Sequence, residues 1–119
     1  MTPLRRTLCI WKTGSGTWLG TACGSGSPLP PFITGMTHGT MRFLLFAPRG
    51  VDAQRPHTQD ELYIIARGSG WFVRGEERVR FGIGDALFVP AGMEHRFEGM
   101  SDDFQTWVVF WGPSGGETA

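Results

Sequence analysis

Short apolar runs, each interrupted after a few residues by turn-forming residues, fill the chain from about residue 40 onward. The runs read TMRFLLF, ELYIIA, GWFVR, RVRF, ALFV, HRFE and FQTWVVFW, and the segments between them are rich in Gly, Pro, Asp and Ser. Several short strands at nearly regular spacing indicate an all-β sandwich or barrel. No segment carries a ten-residue helical stripe. The pattern therefore predicts an all-β protein.

The first part of the chain has a different composition. From Thr13 to Gly35 the sequence is so dense in Gly, Ser, Thr and Pro that neither helical nor strand periodicity is sustained. We interpret residues 1–35 as a loosely packed lead-in, which Trp11, Trp18 and Phe32 can anchor to the domain surface. A chain of 119 residues buries one core, so we expect residues 36–119 to form a single β domain.

Charge and hydropathy exclude several function classes. Lys and Arg together number 11, as do Asp and Glu, and like charges form no block. This balance argues against nucleic-acid binding. The longest apolar runs are about a quarter of the ~20 residues that a membrane-spanning helix needs, so no membrane partner is expected.

The N-terminal segment is too interrupted for a secretory signal. We expect a cytoplasmic protein with Cys9 and Cys23 as free thiols.

One β-like run, RPHTQDELYIIARGSG, carries a histidine and a carboxylate four residues apart. Side chains of an extended chain alternate with period two, so an even separation places His57 and Glu61 on the same face. They can therefore hold one ion together. Gln59 and Tyr63 have the same parity and are expected to face the same interior.

Two glycine-bounded segments resemble the paired motifs of the cupin superfamily. In the first, G(X)5HXH(X)3-4E(X)6G, His57 takes the position of the second histidine. Glu61, followed by six residues and Gly68, matches the second half. The second motif, G(X)5PXG(X)2H(X)3N, is matched except at its last position, where Gly99 replaces Asn, by Gly84, Pro90, Gly92 and His95. The resemblance covers about residues 39–112 and implies a small antiparallel jelly-roll β-barrel in a single domain.

The resemblance also implies a set of metal ligands. In metal-binding cupins these positions bind a divalent ion, which carries over to His57, Glu61 and His95. The first motif histidine is Arg55 in this chain, and its guanidinium has no lone pair to donate to a metal. Two imidazoles and one carboxylate suit Fe(II) and also bind Zn, Mn, Ni or Cu. The ligand types alone do not select the ion.

Three further residues are candidates for substrate binding. Arg55 either clamps a substrate carboxylate or phosphate with a forked pair of hydrogen bonds or turns outward to pair with a surface acid. Gln59 and Tyr63 are candidates for ligand-supporting or substrate contacts, and Tyr63 can equally be ordinary barrel filling.

The alternative to a metal site uses the same residues. His57 can hydrogen-bond to a backbone group, and Glu61 can pair with Arg67 or Arg96. His38 matches neither motif and is interpreted as a surface residue.

The resemblance leaves the activity open, because the cupin fold hosts enzymes as well as binding and storage proteins. We expect a metal-dependent enzyme of the oxygenase or isomerase type that acts on a small organic molecule, with the metal as Lewis acid or oxygen activator. The alternative is a non-catalytic small-molecule-binding or sensory module. No residue outside the ligand set is identified as a general base. A core of this size and open sheet edges favour pairing, so a homodimer is expected.

Overall fold

The fold is all-β, as the apolar runs predict. The computed structural model describes residues 32–118, and within this range it contains strands and no helix. The strands are β1 Phe32–His38, β2 Met41–Phe46, β3 Asp60–Arg67, β4 Gly70–Arg74, β5 Glu77–Phe81, β6 Ala86–Val89, β7 His95–Glu98 and β8 Gln105–Trp111. The seven runs identified in the sequence correspond to β2 through β8. Residues 32–118 provide no helix long and apolar enough to cross a membrane.

Two antiparallel sheets form the domain. The larger has the order β1-β2-β8-β3-β6 and the smaller the order β5-β4-β7. Apolar side chains from both sheets pack between them; they are Leu44, Phe46, Tyr63, Ile65, Phe72, Phe81, Val89, Phe97, Phe104, Val108 and Phe110. This arrangement confirms the predicted antiparallel β-barrel fold.

Strand β1 begins inside the segment that composition marked as a lead-in. The strand pairs with β2 from Phe32 onward, and the ring of Phe32 stacks on Phe46 at a centroid distance of 4.3 Å. The pairing register shifts between Thr34 and Met36, so Gly35 is accommodated at an irregularity of the strand. The rest of the predicted lead-in lies outside the described residues, and with it the proposed thiols Cys9 and Cys23. The division at residue 35 stays a prediction.

Strand alternation places two polar groups inside the barrel. Glu61, Tyr63 and Ile65 of β3 are buried with their side chains directed between the sheets, and so are His95 and Phe97 of β7. Glu61 is the second residue of β3 and His95 is the first residue of β7. The buried carboxylate therefore comes from one sheet and the buried imidazole from the other.

Candidate metal centre

The three residues that the motifs suggest as metal ligands lie together at one end of the space between the sheets. One ligand atom from each of His57, Glu61 and His95 lies within 4.8 Å of the other two. Nε2 of His95 is 3.1 Å from Oε1 of Glu61, and Nε2 of His57 is 3.8 Å from the same oxygen. The arrangement has the donor types and proximity of a three-ligand metal site.

His57 precedes β3, so its place depends on loop contacts. Its carbonyl oxygen accepts a 2.8 Å hydrogen bond from the amide of Gly92, and Oδ1 of Asp60 accepts a 2.9 Å bond from the amide of Ala91. Gly92 has φ of 79°, a conformation that favours glycine. The loop that leads to His95 is thereby bound to the loop that carries His57.

The tautomer of His95 follows from its neighbours. Nδ1 lies 2.9 Å from the carbonyl oxygen of Met93. Because a carbonyl only accepts, Nδ1 carries the hydrogen, and the neutral ring directs a lone pair from Nε2 toward Glu61. Both carboxylate oxygens of Glu61 are buried, and neither accepts a hydrogen bond of good geometry from residues 32–118. The lone pair of His95 and the carboxylate oxygens of Glu61 repel each other, so a metal ion or a proton is needed between them.

The two imidazoles have opposite protonation tendencies. Burial, the largest cause, lowers the pKa of His57; the charge of Glu61 opposes this, and His95 and Arg42 reinforce it. Burial also disfavours a charged His95. A protonated His95 would donate to Glu61 as well as to the Met93 carbonyl, and these interactions outweigh burial and raise the pKa of His95. A proton on His95 and a metal ion are thus alternative ways to satisfy the same carboxylate.

The centre is accessible mainly from the side of His57. The side chain of His57 is 28% exposed, against 0% for His95 and 1% for Glu61. The His57 ring packs edge-on against Phe110 at 4.8 Å, and the guanidinium of Arg42 lies over the same Phe110 ring at 4.5 Å. No sequence pattern pointed to Arg42, because its contact with Phe110 is made between β2 and β8.

Gln59 is turned away from the ligands. Its Nε2 donates to the carbonyl oxygens of Thr40 at 3.0 Å and Gly112 at 2.9 Å, and its Oε1 accepts from Nη2 of Arg42 at 3.2 Å. The side chain therefore supports Arg42 at the margin of the centre. Strand alternation does not extend to Gln59 because β3 begins one residue later, at Asp60.

The other two predicted substrate contacts occupy different places. Arg55 is exposed and lines a pocket of about 230 Å³ together with residues that include Gln54, His95 and Arg96. Tyr63 is fully buried, with its ring against Phe97 at 4.8 Å. Burial, together with Glu61, raises the pKa of Tyr63 well above its ordinary value. Tyr63 is thus part of the core.

Sequence reasoning missed Gln54 and Asp52. Oε1 of Gln54 lies 3.1 Å from Nε2 of His57 and 3.2 Å from Nε2 of His95, and it accepts a 3.1 Å hydrogen bond from the hydroxyl of Tyr63. Asp52 is buried and accepts bonds from Gln54. The segment between β2 and β3 has no periodicity, so no local signal identified the side chains that turn inward.

Comparisons with known proteins agree with this fold. The sequence model of the protein family described as the cupin domain matches residues 42–111. An uncharacterized protein of Streptomyces coelicolor is 39% identical over 59 residues, which cover 50% of this chain and 56% of that protein. This chain therefore matches little more than half the length of that curated relative.

Two crystal structures share the architecture. TT1209 from Thermus thermophilus is 27% identical, with a TM-score of 0.58, over 67% of this chain and 80% of that one. A cupin 2 conserved barrel domain protein from Salinispora arenicola is 23% identical, also with a TM-score of 0.58, over 68% and 74% of the two chains.

Proposed function

Because this chain belongs to the cupin domain family, we propose that it binds one divalent transition metal ion through His57, Glu61 and His95 and acts as a metal-dependent enzyme on a small organic molecule. The observation that carries the proposal is the lone pair on Nε2 of His95, which faces a buried carboxylate oxygen 3.1 Å away. A cation at this point would satisfy Glu61, which otherwise lies buried without a well-directed hydrogen-bond donor.

The donor set limits the chemistry. Two imidazole nitrogens and one carboxylate suit Fe(II) and also bind Mn, Ni, Zn or Cu. When bound, such an ion supplies Lewis acidity or, if redox-active, oxygen activation, as oxygenases or isomerases require. The protein holds the ligands in place: the Met93 carbonyl fixes the His95 ring, and the Gly92 amide fixes the backbone at His57.

The exposed side of His57 suggests the charge of the organic ligand. Arg42 lies next to the exposed face of His57, where its guanidinium packs over the Phe110 ring and donates to Gln59. A guanidinium carries five N–H donors in a planar fork, so the bond to Gln59 leaves donors available for a carboxylate. A small organic anion that approaches the metal from the His57 side would have its charge compensated by Arg42.

The second candidate is a non-catalytic ligand-binding or sensory cupin. One observation favours it. Beside the proposed ligands, Gln54 bonds to two titratable groups, the carboxylate of Asp52 and the hydroxyl of Tyr63. Both Asp52 oxygens already accept hydrogen bonds, from Gln54 and from the amide of Phe97. Burial raises the Tyr63 pKa well above 10.0, so the hydroxyl keeps its proton and is a poor general base near neutral pH.

Elemental analysis of the full chain, purified without an affinity tag or chelator, tests the metal proposal. We expect about one equivalent of a transition metal per chain by plasma mass spectrometry, and its loss in His57→Ala and in His95→Ala. His38→Ala is the matched control, because His38 is exposed at the end of β1. Failure to bind metal after anaerobic reconstitution with Fe(II), Mn(II), Ni(II) and Zn(II) would contradict the proposal.

Experiments on metal-loaded protein distinguish the two candidate functions, a metal-dependent enzyme and a non-catalytic binding module. A panel of small carboxylic acids is screened by thermal shift, and each acid that binds is then incubated with protein and followed by mass spectrometry. Conversion of a bound acid supports the enzyme, whereas tight binding without conversion under air and under nitrogen supports the module. Arg42→Gln should weaken binding of the acids in either case.

A further inference from the structure

The side-chain oxygen of Gln54 lies among the proposed metal ligands. Oε1 is 3.1 Å from Nε2 of His57 and 3.2 Å from Nε2 of His95. Two ligand atoms that are each ~2.1 Å from an ion lie ~3.0 Å apart when they subtend a right angle. The two distances from Gln54 are therefore close to those of neighbouring ligands, as is the 3.1 Å distance between His95 and Glu61.

The orientation of the Gln54 amide is fixed by Asp52. Nε2 of Gln54 donates to Oδ2 of Asp52 at 2.6 Å, and the backbone amide of Gln54 donates to Oδ1 at 3.1 Å. Oδ2 also accepts a 2.9 Å bond from the amide of Phe97 in β7. If the Gln54 amide were reversed, its oxygen would face a carboxylate, so Oε1 is held toward the two histidines.

The same oxygen retains an electron pair for an ion. A carbonyl oxygen has two lone pairs, and the hydroxyl of Tyr63 donates to Oε1 at 3.1 Å. In the tautomer fixed by Met93, Nε2 of neutral His95 has no hydrogen to donate to Gln54. Oε1 therefore faces the His95 lone pair just as Glu61 does, and a cation between them would satisfy all three groups.

We propose that Gln54 supplies a fourth, neutral oxygen ligand to the metal and that Asp52 is the residue that positions it. The inference rests on the proposed metal site. Gln54 would thus add a ligand in a chain where Arg55, with an exposed side chain, stands at the first motif histidine and cannot bind the ion. The resulting site has two nitrogen and two oxygen donors, and an octahedral ion would keep roughly two positions for water or a chelating organic ligand.

Metal titration of variants tests this ligand. Apo protein is titrated with Zn(II) by calorimetry and with Co(II) by visible absorption, which reports the number and type of ligands. Gln54→Leu removes the oxygen at similar volume, and we expect metal affinity to fall roughly 10–100-fold, as for support residues of metal sites, with an altered Co(II) spectrum. Gln59→Leu is the matched control, because that amide bonds to Arg42 and to backbone carbonyls at the margin.

Gln54→Met keeps the length and volume of the side chain and guards against a folding defect in the leucine variant. It should also bind Co(II) more weakly than the wild type, since a soft thioether is a poor substitute for an oxygen ligand. Wild-type affinity and spectrum in Gln54→Leu or in Gln54→Met would overturn the ligand role and leave the three-residue site intact. Wild-type protein that binds neither metal would overturn both proposals.

Discussion

Nε2 of His95 lies 3.1 Å from Oε1 of Glu61, although the two residues belong to different sheets. The other nitrogen of the same ring is held by the Met93 carbonyl. The buried acid of the larger sheet thus meets the buried base of the smaller sheet at one end of the barrel. An ion bound between them would link the two sheets, so metal binding and barrel stability should be coupled.

This coupling predicts a metal-dependent melting temperature. At metal concentrations about 100 times the dissociation constant, the wild type should gain about 2.7 kcal/mol of stability, or several degrees of melting temperature. His57→Ala should show no gain, because only ions bound to the native state stabilise it. Differential scanning calorimetry of both proteins with and without metal measures this. An equal metal-induced shift in both would exclude His57 as a ligand.

Replacing the buried carboxylate of Glu61 should weaken metal binding without destabilising the metal-free fold. Glu61→Gln preserves shape and removes a buried charge whose oxygens lack well-directed donors. The amide can also donate to the lone pair on Nε2 of His95. We expect metal-free Glu61→Gln to be at least as stable as the wild type in urea unfolding, but to bind metal at least tenfold more weakly. Marked destabilisation of the metal-free variant would instead show that Glu61 is needed as an ion-pair partner of protonated His95.

Two motif glycines with nearly equal φ should differ in their tolerance of a side chain. Gly68 has φ of 85°, and a Cβ there would lie 2.5 Å from Oγ of Ser101 and 2.7 Å from Cα of Phe104. Gly84 has φ of 88° and nothing within 4 Å of the same point. Gly84→Ala should cost about 1 kcal/mol for the backbone conformation alone, and Gly68→Ala about 2 kcal/mol more. Equal losses in urea unfolding would contradict the crowding at Gly68.

An apolar patch on the outer face of the larger sheet supports the expected homodimer. We define this outer patch by the half-buried or exposed residues Leu62, Ile64, Phe88, Val109 and Trp111. Phe88 is 44% exposed and Ile64 is 38% exposed. We propose that two copies pair through it, since burial of such surface favours self-association.

Light scattering after size exclusion measures the oligomeric state. Phe88→Glu should shift the protein to the monomer. Val51→Glu is the control, because Val51 is 80% exposed but lies between β2 and β3, outside the outer patch. A wild-type monomer, or equal disruption by both changes, would exclude this interface.

Acid should weaken an ion pair on the smaller sheet. Hydrogen bonds from Arg96 at 2.6 Å and Arg78 at 3.3 Å hold the pKa of Glu98 below its ordinary value of 4.5. Because the folded pKa is the lower one, the stabilisation is fully present above pH 4.5 and is lost as the pH falls through the folded pKa. Glu98→Gln should therefore melt slightly below the wild type at neutral pH and low salt, and the two proteins should converge as the pH falls through the folded pKa of Glu98. A difference that persists in acid would contradict an ionic origin.

The sequence by itself determined the strands and the inward side chains that lie on them. Period-two alternation and turn residues are local signals, and they located β2 through β8. Alternation also placed Glu61 and Tyr63 inside, and the second motif singled out His95. The start of β1 was missed because a glycine-rich composition hid a strand whose partner is β2.

Only the tertiary structure decided the directions of the loop side chains around the site. His57 and Gln59 both precede β3, yet hydrogen bonds to distant backbone groups place His57 beside His95 and turn Gln59 toward Thr40 and Gly112. Gln54 turns inward because its side-chain amide donates to the carboxylate of Asp52. That carboxylate is itself fixed by a hydrogen bond from the backbone amide of Phe97. A loop has no repeating backbone geometry, so its side chains follow contacts with residues far along the chain, and those contacts exist only once the sheets have packed.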